Sequence, residues 1–153
     1  MNANWKPARG KMGFMKPLLG TWLTVDPDTP MGKVVCTRTY TQILAGKFIR
    51  LEANWDIGEG KKTYQEIAHY GLNRDNIPAF WSFTSDGGQS EGVLADVSSM
   101  HDAAKGFEAQ MPSGLARFGF WPCDTGMMWV AEAKTKNGWS RMINHECLRV
   151  DTK

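Results

Sequence analysis

No apolar run in the 153-residue chain is long enough to cross a bilayer as a helix, and the first residues lack the apolar centre of a secretory signal. Cysteine is scarce: Cys36, Cys123 and Cys147 are odd in number and widely separated, which argues against a disulfide framework. These absences lead to the expectation of a cytoplasmic protein with no membrane association. Neither sign of charge dominates, since 18 basic and 16 acidic residues are interspersed for a net charge of +2. A nucleic-acid binder would carry a clustered basic face, and none is visible. Lys6, Arg9, Lys11 and Lys16 precede any acid, but Pro7, Gly10 and Gly13 dilute them into what reads as a solvated arm. Metal-ligand spacing is missing as well: His69, His101 and His145 stand far apart, with no Cys-x-x-Cys or His-x-His, so no metal site is expected. No Gly-x-Ser-x-Gly occurs, and no catalytic motif is found.

What the chain does carry is aromatic bulk: seven Trp, seven Phe and three Tyr, spread along its whole length. Such side chains suit a sheet surface or a ligand cavity. Residues 1–13 are polar and without period and read as a loose arm, followed by a single domain over residues 14–153. Phe14–Leu19 can form a short helix that Gly20 ends, with Pro17 confined to its first turn. After it the punctuation becomes regular, at Asp26–Gly32, Ala45-Gly46-Lys47, Gly58–Lys61, Asn73–Asn76, Asp86-Gly87-Gly88, Met111–Gly114, Pro122–Gly126 and Asn137-Gly138. The connection near Ser98–Lys105 is the weakest strand candidate and could hold a helical turn. Ten candidate strands lie between these breaks, several with period two, as in Ile49-Arg50-Leu51-Glu52-Ala53-Asn54-Trp55. Short connections favour a meander, and closing it into a barrel removes two exposed edges. The expected fold is therefore all-β: a ten-stranded antiparallel up-and-down β-barrel with a short N-terminal helix.

The order of short motifs along Phe14–Val150 resembles the calycin group, which includes lipocalins, fatty-acid-binding proteins and nitrobindin. The motifs are Gly20-Thr21-Trp22 after the helix, Thr39-Tyr40 leading to Ile43-Leu44-Ala45-Gly46-Lys47-Phe48, and His69-Tyr70-Gly71-Leu72-Asn73. Leu18-Leu19-Gly20-Thr21-Trp22 is similar to a bacterial lipocalin-like family of unknown function. The resemblance implies a barrel with a central cavity. It also implies that Trp22 seats at the closed end with Arg149 packed over it, a structural closure.

Phase along the strands then selects candidate site residues. If Arg149 faces Trp22, His145 on the same strand face points inward, as a general base or, by the likeness to nitrobindin, a haem ligand. Arg38 and Tyr40 share one face, as do Tyr64, Glu66 and Tyr70. If both faces point inward, the set could hold an acidic or phenolic head group. Trp81 and Phe83 on one strand and Trp129 on another would add an apolar lining. The leading expectation is a binding protein for a small, mostly apolar ligand, with no required cofactor. The second is a barrel enzyme using Tyr, Glu, Arg or His for proton transfer on a small aromatic or acidic substrate, and haem binding is the third.

Overall fold

The structure, a computed structural model, describes residues 5–25, 28–29, 32–57 and 62–150. The expected turn at Gly58–Lys61, most of the Asp26–Gly32 loop, Met1–Asn4 and residues 151–153 lie outside the described residues. A 3₁₀ helix at Gly13–Leu18 leads into β1 (Gly20–Thr24), β2 (Asp28–Thr29), β3 (Gly32–Ile43), β4 (Phe48–Ile57) and β5 (Lys62–Leu72). Then follow β6 (Pro78–Thr84), β7 (Gln89–Ala95), β8 (Lys105–Met111), β9 (Gly114–Pro122), β10 (Gly126–Thr135) and β11 (Gly138–Val150). From β3 to β11 each strand pairs antiparallel with the next, and β1 pairs with both β11 and β3. Ten strands thus close into an up-and-down antiparallel barrel, and β2 is a two-residue piece paired to the start of β3 outside the ring. No helix among the described residues is long and apolar enough to cross a membrane.

The helix is tighter than an α-helix for a local reason. Pro17 has no N–H to return to Gly13, so an α ladder cannot form, and the segment settles into i→i+3 turns with Met15 and Leu18 fully buried. The helix caps one end of the barrel. Trp22 Nε1 donates to the Leu18 carbonyl at 2.8 Å, and the Arg149 guanidinium lies 4.2 Å over the Trp22 ring. Arg149 also donates to the carbonyls of Leu19 and Pro17, at 2.5 and 2.6 Å. Gly20 is in the left-handed region (φ 118°), and a Cβ there would stand 2.6 Å from Arg149 Nη1. Residues 5–12 depart from the expected loose arm. Trp5 packs on Trp22 and Phe120 at ring separations of 6.5 and 6.3 Å, because burying one indole against two rings outweighs the entropy of a free arm.

Inside the ring, Trp22, Tyr40, Ile49, Leu51, Ala68, Phe80, Phe107, Phe120, Met127 and Trp129 form one core. A smaller cluster sits on the outer wall. There the connection over residues 96–104, which holds neither strand nor helix, lays Val97 and Ala104 on Trp121 and Val130. The same wall carries a buried ion triad: Glu132, 6% exposed, accepts from Arg117 at 2.6 Å and from Arg141 at 3.0 Å.

Candidate functional site

The barrel interior holds a cation with no ion-pair partner among the described residues. Arg38 stands at the middle of β3, in register with Trp22 of β1 and Ala53 of β4, and is 0% exposed. The sequence forces it inward: Cys36, Arg38 and Tyr40 share one strand face, and its two neighbours on that face are buried. Its guanidinium carbon lies 3.8 Å from the Trp129 ring centre and 5.1 Å from that of Trp55, so two indoles stabilise it through their faces. Nη2 donates to Nδ1 of His145 at the long distance of 3.5 Å. Nε and Nη1 have no hydrogen-bond acceptor, and neither does the nearby Trp55 indole N–H. Three buried donors on two neighbouring side chains therefore lack an acceptor, in a protein interior where such groups are almost always paired.

The surrounding groups do not neutralise this charge. Burial raises the thiol of Cys36, and it raises that of Cys147 to about 11 against the opposing pull of Arg38, so both are neutral at physiological pH. Burial likewise raises the phenols of Tyr40 and Tyr70. Burial opposes the charge of the Arg38 guanidinium, but the field of the acidic groups near it, Glu66 among them, favours the charged form, so it stays charged. Glu66 faces inward on β5, two strands away in the same layer, and its Oε2 accepts from the Ser82 hydroxyl at 2.6 Å. It makes no ion pair with Arg38. Cys36 and Cys147 both flank Thr24 across β1, roughly 9–10 Å apart over two strand spacings. That separation exceeds the reach of a disulfide, and all three cysteines are free thiols.

His145 is held neutral, its pKa lowered to about 4 by partial burial and then by the Arg38 charge. Because arginine can only donate, Nδ1 must be the acceptor, which puts the ring proton on Nε2. That tautomer leaves no free lone pair for a general base. It also does not suit haem: an iron bond through Nε2 would require Nδ1–H, a donor aimed at the guanidinium donor. The Trp55 ring, 5.1 Å from the imidazole, further fills the space beside it. Beyond this layer, towards the barrel end away from the helix, Trp55, Tyr64, Ile143 and His145 are half-buried, and Ala116 and Ala133 pair across β9 and β10.

The structure brings Arg38, Tyr40, Tyr64, Glu66, Tyr70, Trp129 and His145 to the inner face. Trp81 and Phe83 are not among them. Both stand on the outer wall, Phe83 51% exposed, while Phe80 and Ser82 point in. The phase of β6 is set by its pairing with β5, Phe80 opposite Tyr70 and Ser82 opposite Ala68, and by the hydroxyl that Ser82 supplies to Glu66. Three participants escaped the sequence reading: the Trp55 N–H as a donor, Ser82, and the thiols beside Arg38. The signal for Trp55 was present in its alternation with Leu51 and Ala53. No protein-family model matches the chain, and no characterised protein matches its sequence.

Proposed function

We propose that the protein binds a small organic acid with an apolar or aromatic body, its acid group seated against Arg38 and its body among the half-buried side chains of Trp55, Tyr64 and Ile143. The observation that carries this reading is the fully buried guanidinium with two donor nitrogens lacking acceptors, beside an indole N–H in the same state. A buried cation with unmade hydrogen bonds costs several kcal/mol, roughly, and among the described residues no carboxylate lies within ion-pair distance of it, whereas a carboxylate ligand would bring the missing acceptors. Trp55 and Trp129 flank the guanidinium and suit a flat apolar body, and Tyr64 and Ile143 extend that surface outward. The calycin-like motifs support the same reading, and three free thiols support a reducing, cytoplasmic setting. Proton-transfer chemistry has less support, because the His145 lone pair is directed at Arg38.

Calorimetric titration with benzoate, phenylacetate and hexanoate, each beside its neutral amide, tests the proposal. The acids should bind at least about tenfold more tightly than the amides, the worth of one charge-assisted bond, and Arg38→Met should abolish the difference. Equal affinity of acid and amide, or acid binding unchanged in Arg38→Met, would overturn it.

A further inference from the structure

A second site lies at the opposite, capped end of the barrel. Between residues 8–16 and the β3–β4 hairpin is a recess of about 350 Å³, within the range that holds a small ligand. Its floor is apolar, made by Met12, Ile49 and Tyr70, and Gln42 adds one amide. Its rim carries Arg9, Lys16 and Lys47, and no acidic residue lines it. None of the three cations has an ion-pair partner among the described residues. The chain as a whole is nearly neutral, so this concentration of one sign is a local arrangement rather than a reflection of composition.

Both walls are fixed in shape. On one side the chain folds back so that the Ala8 N–H donates to the Gly13 carbonyl at 2.9 Å. The approach is so close that a Cβ on Gly13 would fall 1.9 Å from the Ala8 oxygen. On the other side, Leu44 and Ala45 both take left-handed backbone angles (φ 53° and 57°), although neither is the glycine or asparagine that such a turn favours. This conformation is disfavoured for residues with a Cβ, and the turn it makes leads into Lys47 at the rim. The recess does not reach Arg38: a layer of Tyr40, Leu51 and Ala68, all buried, lies between.

We infer that this recess binds a small amphipathic anion, its acid group among Arg9, Lys16 and Lys47 and its apolar part on Met12, Ile49 and Tyr70. It is a site separate from that at Arg38 and does not depend on it.

Octanoate and octanol, which share an apolar chain and differ in the head group, are suitable probes. Calorimetry on the full chain should show octanoate binding, with octanol weaker by about tenfold, the sum of three exposed ion pairs. The triple variant Arg9→Gln, Lys16→Gln, Lys47→Gln should lose that preference, and Gly13→Ala, which leaves every charge in place but displaces the wall, should weaken both probes. Each titration is run in the Arg38→Met background, where the interior cation is absent and only this recess is read. In that background, octanoate binding that survives the triple variant, or that is undetectable up to about 5 mM, overturns the inference. Loss in Arg38→Met alone would assign the anion to the barrel interior and leave the first proposal standing.

Discussion

Two arginines are buried in this protein, and their surroundings differ in the one respect that matters. Arg117, 7% exposed, donates through Nε and Nη2 to the Glu132 carboxylate, which Arg141 also approaches. Arg38 is more deeply buried and has two indoles, a neutral imidazole and no carboxylate. The same chain thus pairs a buried cation on the wall and leaves one unpaired in the interior, so the interior state is not a general tolerance of buried charge. His145 reports on that state. Its pKa is depressed from 6.5 to about 4, so between those values the unfolded chain takes up a proton that the folded protein refuses. Stability is accordingly complete above about pH 6.5 and declines as pH falls towards 4. NMR titration of the imidazole should show a neutral Nε2–H ring down to about pH 4, and His145→Gln should flatten this part of the acid dependence. A midpoint near 6.5 would mean that the ring is not held against Arg38.

At the scale of elements, the 3₁₀ helix is tied to the barrel by Arg149, which bridges the Leu19 and Pro17 carbonyls while stacking on Trp22. Arg149→Met should lower unfolding stability by about 2 kcal/mol, measured by denaturant titration, and Arg149→Lys should recover little, because an ammonium cannot span two carbonyls with a planar fork. An Arg149→Met variant as stable as the wild type would leave the helix held by Trp22 and Leu18 alone. The strands themselves were legible in the chain, since glycine- and asparagine-bearing turns cut it at regular intervals and period-two alternation filled the spaces. Strand phase was legible where one face is plainly polar, as in β4. It was misread in β6, where Phe80-Trp81-Ser82-Phe83 offers large aromatics to both faces and the small polar residue points inward. A hydrophobicity pattern cannot anticipate that a serine is drawn inside by a glutamate on the neighbouring strand.

For the molecule as a whole, closure follows from the number and order of strands: a ten-strand meander has two edges, and β1 satisfies both by pairing with β3 and β11. The barrel was foreseeable on that ground, whereas its contents were not. That Arg38 faces inward could be expected from its place between Cys36 and Tyr40. That no carboxylate meets it depends on distances across the ring, which no local pattern encodes. The central claim is that Arg38 is kept for an external anion at a cost to the ligand-free fold. Its most direct test is the unfolding free energy of wild type and Arg38→Met, both refolded from denaturant to strip any carried ligand, with and without benzoate. The account predicts a ligand-free variant as stable as the wild type or up to about 2 kcal/mol more stable, with benzoate stabilising the wild type alone. A variant destabilised by about 3 kcal/mol or more, the loss expected on breaking a satisfied buried charge, would contradict it.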